Sequence, residues 1–372
     1  MRQLRYLIEK ASRLFWWPAT VGAIFVIGIG AIGYGYLQWP GAGAIPLAGK
    51  SFPLDRWNRG FVLAASVRNA VLLVRPGRAD NMQLLLVDFE TGKRIKLSSK
   101  RSHLSSPYLS PDGARLLFSR QRFERQGHDL VSCDTATLAC RTILKSAGSI
   151  SNAIEISGGR ILYVSSPYVK RSDGQIRLTR NDIWIFDSVT GSRQLTDFQL
   201  YQLGSLSVTK NEIYFSATGP LRERPVIPKY DPSSNHQSDI FRLPFDPVTG
   251  TISAPSETMT PLFASAGIAT RPSASADGSL IAFLRTRTGI SPYRYDLVIA
   301  DQSSHGERLI QSSGMGFSRP VIIGHDVYSS VTREDRVLIR VDRTNEPVMK
   351  LLADIDDASV ASAETVELKI EP

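Results

Sequence analysis

The sequence predicts an all-β protein: a six-bladed β-propeller, with five to seven blades allowed by the pattern, preceded by one N-terminal transmembrane helix. Three observations predict it. A strand, an Asp-containing turn and a second strand recur six times. Another strand–turn–strand pattern lies upstream in several of those units. Near the N-terminus, about twenty consecutive apolar or small residues carry no charge.

The first pattern occupies residues 84–97 (LLLVDFETGKRIKL), 131–144, 183–196 (IWIFDSVTGSRQLT), 243–253, 297–310 and 338–351. Its aspartates, Asp88, Asp134, Asp187, Asp246, Asp301 and Asp342, lie 46, 53, 59, 55 and 41 residues apart. Alternating apolar residues around a tight polar turn read as a hairpin. Asp suits such a turn because its carboxylate accepts bonds from amides two residues on, and Gly because it tolerates positive φ. Turn chemistry therefore accounts for the six aspartates, ahead of metal or acid–base roles. The second pattern is LSPDGARLLF at 109–118 and ASADGSLIAF at 274–283, with looser forms at 156–163 and 208–215. Two hairpins make a four-stranded sheet, and six such sheets at this period make a propeller. No single sheet can bury both faces, but a closed ring buries each against its neighbours.

These residues resemble the TolB-like, or PD40, propellers of the WD40-like group. The matching positions are Ser110-Pro111-Asp112-Gly113 with Leu116-Leu117-Phe118, Ser275-Ala276-Asp277-Gly278 with Ile281-Ala282-Phe283, the run Asp182–Asp187, and Asp239-Ile240-Phe241. The resemblance covers about 60–352. It implies the propeller fold and, for function, protein–protein interaction. It also implies closure by pairing of terminal strands: 365–370 (TVELKI) with the first blade, with 61–74 as the complementary candidate.

The charge-free interval between Arg13 and Lys50 contains Trp17–Leu37, long enough to cross a hydrocarbon core at helical rise. Phe15, Trp16 and Trp17 stand at one end and Tyr34, Tyr36 and Trp39 at the other, as interfacial rings do. Arg2, Arg5, Lys10 and Arg13 precede the span against one acid, Glu9. The positive-inside rule then places 1–14 in the cytoplasm, 15–39 across the inner membrane, 40–59 as a linker and 60–372 as a periplasmic, or otherwise extracytoplasmic, propeller. The competing reading is a signal peptide cut near Ala42-Gly43-Ala44; both readings export the propeller.

Cys133 and Cys140 flank the second unit's turn, where facing strand positions bring Cβ atoms close. A disulfide in an oxidising compartment is the favoured expectation, with two buried thiols or half of a metal site as alternatives.

The chain holds no Gly-x-Ser-x-Gly elbow, His-Glu-x-x-His or P-loop. No catalytic residue, metal or cofactor is expected, and His103, His128, His236, His305 and His325 read as loop or surface residues. The net charge of +9 points to an anionic partner. Between second and third strands the units carry Arg75 and Arg78; Arg120, Arg122 and Arg125; Lys170, Arg171, Arg177 and Arg180; Arg222, Arg224 and Lys229; Arg285, Arg287 and Arg294; Arg333 and Arg336. Arg supplies a planar fork for carboxylate or phosphate that Lys lacks. Of these, Arg120, Arg122, Arg125, Lys170, Arg171, Arg177, Arg222, Arg224, Arg285, Arg287 and Arg294 are the candidate partner-binding residues. Ion pairs with the aspartates that open the third strands (Asp129, Asp182, Asp239 and Asp296) are the structural alternative. The expected function is a non-catalytic binding or scaffold module for an acidic envelope protein or anionic glycan. The alternative is a lyase or hydrolase acting on acidic polysaccharide. Export removes nucleic acid as a ligand.

Overall fold

The computed structural model describes residues 63–74, 82–124, 127–170, 176–178, 180–198, 200–220, 238–252, 262, 269–286, 295–302, 306–311, 318–333, 336–343 and 349–371. All belong to one compact unit, Asp55–Pro372. The segments expected to be cytoplasmic (1–14), transmembrane (15–39) and linker (40–59) lie outside the described residues. No helix among the described residues is long and apolar enough to cross a membrane.

Six four-stranded antiparallel blades succeed one another along the chain. Blade 1 is β1 (Leu63–Ala65), β2 (Asn69–Val74), β3 (Gln83–Asp88) and β4 (Arg94–Ser98). Blade 2 is β5 (Ser102–Leu109), β6 (Arg115–Arg122), β7 (His128–Asp134) and β8 (Cys140–Ser146). Blade 3 is β9 (Ser149–Glu155), β10 (Ile161–Ser166), β13 (Asp182–Asp187) and β14 (Gly191–Gln194), with a separate hairpin of β11 (Tyr168–Lys170) and β12 (Ile176–Leu178) inserted after its second strand. Blade 4 is β15 (Leu200–Val208), β16 (Glu212–Pro220), β17 (Ser238–Asp246) and β18 (Thr251–Ile252). Blade 5 is β19 (Ala269–Ala274), β20 (Leu280–Thr286), β21 (Tyr295–Asp301) and β22 (Gly306–Gln311). Blade 6 is β23 (Val321–Ile323), β24 (Asp326–Arg333), β25 (Arg336–Arg343) and β26 (Met349–Ile355). The first strands of successive blades touch one another around the ring, and β23 returns to β1.

Strand alternation builds the core between blades. Leu116 and Phe118 of β6 pack toward blade 1, while Leu117 between them packs toward blade 3. Six apolar clusters result, one at each junction: 1–2, 2–3, 3–4, 4–5, 5–6 and 6–1. Removing a fully buried side chain such as Phe118 from water stabilises by about 1.5–3 kcal/mol.

The ring closes through the last cluster, in which Ala70, Leu72 and Val74 of blade 1 meet Tyr328, Ile339 and Val341 of blade 6. Each blade is made of consecutive strands, so 61–74 does not complete another blade. The C-terminal segment does pair with blade 1, but on its outer edge: β27 (Glu364–Glu367) lies parallel to β4. The chain then crosses to blade 2, where β28 (Ile370–Glu371) lies parallel to β8. Val366, Leu368 and Ile370 face the 1–2 cluster. The strap thus binds two outer strands rather than supplying the missing strand of a shared blade.

The repeated aspartates are turn caps where the turn is described. Asp88 Oδ1 accepts from Thr91 N at 2.6 Å and from Thr91 Oγ1 at 2.7 Å. Asp134 Oδ1 does the same with Thr137, at 2.8 Å to each. These bonds hold both carboxyls below the usual range. In the Ser-Pro-Asp-Gly turn, Gly113 adopts φ +77°, and a Cβ there would lie 2.6 Å from Ser66 Oγ of blade 1.

Candidate partner-binding surface

The strand end shared by β6 and β7 holds the best-defined basic cluster. Asp129, with no exposed surface, accepts from Arg120 Nη2 at 2.6 Å, Arg120 Nε at 3.2 Å and Arg122 Nε at 3.0 Å. Two guanidinium groups therefore answer one carboxylate. Burial, with the neighbouring Arg122, lowers Arg120 to about 10, so it stays charged at neutral pH. Arg120 itself is buried inside the sheet, whereas the Arg122 side chain is 39% exposed. Beside it Phe123 is exposed and meets His103 edge-on at 4.6 Å. Arg101 and Glu124 pair at 2.8 Å on the surface.

The other sequence candidates fall differently from the expected loops. Arg120 and Arg122 are strand residues of β6, and Arg285 lies in β20. Lys170 and Arg177 lie in the inserted hairpin β11–β12. Arg285 stands opposite Asp296 in register, yet its guanidinium reaches past it to Glu307 on β22, at 2.5 and 2.7 Å. It also stacks over Phe283, 5.1 Å from the ring centre. The pairing holds Glu307 below its ordinary value. Arg120 and Arg285 are thus charge-compensated within the fold, and Arg120 is almost wholly buried. Of the third-strand aspartates, Asp129 does pair with arginine. Asp182 accepts from Thr196 Oγ1 at 3.1 Å and Phe198 N at 2.7 Å. Arg125, Arg171, Arg222, Arg224, Arg287 and Arg294 lie outside the described residues.

Two histidines depart from the loop reading. His103 sits in β5, and its Nδ1 accepts from Met82 N at 3.2 Å. His128 opens β7, with Nδ1 2.8 Å from Ser119 Oγ, and burial lowers its pKa. His325 is in an exposed turn.

Two features were missed from the sequence. Near the ring axis, Arg319 donates through Nε to Pro272 O at 3.3 Å and through Nη2 to Leu206 O, tying blade 6 to blades 5 and 4. Burial lowers it to about 10. Its signal was the tripeptide Ser318-Arg319-Pro320, which echoes Thr270-Arg271-Pro272. The first strands of blades 2 to 5 each also carry one left-handed residue at a register shift: Ser106, Asn152, Ser205 and Arg271. The second feature is a groove of about 730 Å³ beside the Asp-capped turns of blade 2. Asp112, Arg115, Asp134, Arg141 and Glu155 line it together with Lys369 and Glu371 of the strap. Its charges alternate in sign, so it is polar without favouring an anion. Its floor includes Cys140, which is joined to Cys133 by a disulfide directly across β7–β8, as expected. Among the described residues no group of three or more His, Cys, Asp or Glu side chains is arranged to hold a metal.

No protein-family model matches the sequence, and no curated protein matches it. Solved structures do. TolB from Acinetobacter baumannii superposes with a TM-score of 0.55 at 17% identity, over 76% of this chain and 63% of that one. The chain has the propeller fold of TolB. Hydrazine synthase from Kuenenia stuttgartiensis gives 0.54 at 11% identity, over 84% and 49% of the two chains. A puromycin-hydrolyzing peptidase of Mycobacterium tuberculosis gives 0.53 at 11%, over 85% and 55%. This chain therefore spans about three fifths of TolB and about half of the two enzyme chains, and the likeness is one of fold.

Proposed function

We propose that this chain is a membrane-anchored binding module: a helix over 15–39 tethers an exported propeller whose basic end holds an acidic partner, a protein or an anionic glycan of the cell envelope. The observation that carries the reading is the excess of cation at the β6–β7 end. Among the described residues Arg120 and Arg122 share the carboxylate of Asp129, and the Arg122 side chain is 39% exposed, so cation exceeds anion at that end. Arg125, Arg222, Arg224, Arg287 and Arg294 are the further arginines at the corresponding junctions of the repeat. Guanidinium forks at several blades suit an extended polyanion, which meets them one after another. An enzyme acting on acidic polysaccharide would need the same cations and would differ only in cleaving the bound chain.

The test compares the full-length protein with a variant carrying Arg122→Ser, Arg222→Ser, Arg224→Ser, Arg287→Ser and Arg294→Ser. Binding to polygalacturonate and to polyglutamate is measured at low and at physiological salt. We expect binding that weakens with salt and falls about tenfold or more in the variant, equivalent to at least ~1.4 kcal/mol. Equal binding by both proteins removes the basic-end reading. New unsaturated sugar ends in the polygalacturonate sample replace the scaffold reading with a lyase.

A further inference from the structure

We infer that the Cys133–Cys140 disulfide is a redox-operated latch: it fixes β28, the end of the C-terminal strap, on the outer edge of blade 2, and its reduction releases that end.

The geometry joins the two features at one residue. Ile370 of β28 stands opposite Cys140, and Cys140 stands opposite Cys133. Both cysteines are buried in the cluster that also contains Leu368, with Ile370 packed against it. The two halves of the strap are held by different means. Along β27 a four-residue register, the bond from Leu368 N to Ser98 O at 2.9 Å, and the pairs Lys93–Glu364 and Lys100–Glu367 fix the chain to blade 1. None of these involves a cysteine. Beyond Leu368, among the described residues, the strap has a two-residue register on β8 and the packing of Ile370.

The staple closes a loop with a sequence separation of seven. So short a loop gives less chain-entropy stabilisation than a longer one would, and the contacts it holds in place are local. A dithiol reductant supplies two electrons and two protons: the S–S bond breaks, Cys133 and Cys140 become thiols, and the reductant leaves as its own disulfide. Cys140 is one of the residues that line the groove beside the Asp turns, the side from which the reductant approaches in this proposal. Bonded sulfurs sit about 2 Å apart, while non-bonded atoms of this size need roughly 3.5–4 Å. A packed interior accommodates that separation only by moving something. β7 is held between β6 and β8, so β28, the short outermost strand, yields. Its departure bares the edge of β8 for pairing with another strand and removes Lys369 and Glu371 from the groove wall.

Hydrogen exchange on the full-length chain, with and without a dithiol, reads the latch directly. We expect exchange at 369–371 and 140–142 to rise about tenfold or more on reduction, with 364–368 and the blade 4 core unchanged. Equal protection of 369–371 in both states overturns the latch. So does loss of protection around the whole ring, which makes the disulfide a global staple. A Cys133→Ala/Cys140→Ala variant should exchange at 369–371 at one rate whether or not dithiol is present; a persistent dithiol effect also overturns the proposal.

Discussion

In blade 2 the carboxylate of Asp129 has no exposed surface and receives two guanidinium groups, while in blade 6 the part-buried carboxylate of Asp342 has no hydrogen-bond partner for Oδ2 among the described residues. The contrast sharpens at matched positions of the repeat. Asp134 is the last residue of its third strand, and Asp342 the last but one of its own. Asp134 is capped by Thr137, three residues on, and its pKa falls. Asn345 stands at the corresponding place after Asp342, whose pKa is raised by burial despite Arg340 and Arg308 nearby. The edges differ too: β28 covers the start of β8, whereas β26 presents exposed Met349 and Leu351. One repeat position can stabilise or burden a blade, and the donors around it decide which.

The largest way to break the contrast is to make blade 2 resemble blade 6. Asp129→Ala leaves Arg120 buried with Arg122 beside it and no carboxylate between them. We expect a loss of about 3–5 kcal/mol, the usual result of stranding one partner of a buried pair, measured by denaturant unfolding of the full-length protein. A loss under about 1 kcal/mol would mean that water reaches Arg120 and that the two blades handle charge alike.

The repeat was legible because its signals are local. Alternating strands and Asp-x-x-Thr turns are written within a dozen residues, and four-stranded blades result from them. The disulfide was legible for the same reason, since Cys133 and Cys140 face each other across one hairpin. The charge pattern was legible only as composition. Arg120 and Arg285 look like any other arginine beside a loop, and their neutralisation depends on side-chain direction: Arg285 bypasses Asp296 for Glu307, two strands away. The strap's second landing site was hidden because it depends on the spacing between two blade edges. Arg319 was missed because its partners are backbone carbonyls of other blades, which leave no mark in a pattern of residue types.

A smaller change relieves blade 6 instead. Asp342→Asn removes a charge whose burial is not repaid, so stability at neutral pH should rise by about 1 kcal/mol, at the low end of the cost of an unsatisfied buried group. The pH dependence fixes the sign. Because the folded pKa lies above 3.8, the protonated group is favoured by folding. Its contribution is complete below the unfolded pKa and is lost as pH rises through the folded one. The variant's advantage should therefore vanish in acid. A stability gain that persists there would show that the amide makes a new bond and that charge was not the cause.

The smallest effect is expected at Asp134, and its sign is opposite. Its bonds to Thr137 hold the folded pKa below 3.8, so its contribution is present above the unfolded value and lost as pH falls through the folded one. Asp134 is fully exposed, so the loss in Asp134→Ala should be slight in global unfolding and plain locally. Amides 136 and 137, which donate to the carboxylate, should lose protection in hydrogen exchange. Thr137→Val, which keeps the amide donor but removes the hydroxyl, should raise the Asp134 pKa part of the way back, as read by carboxyl NMR titration. An unmoved pKa would assign the cap to backbone donors alone. It would also leave the difference between Asp134 and Asp342 to burial rather than to the threonine that stands three residues after one aspartate, where asparagine stands after the other.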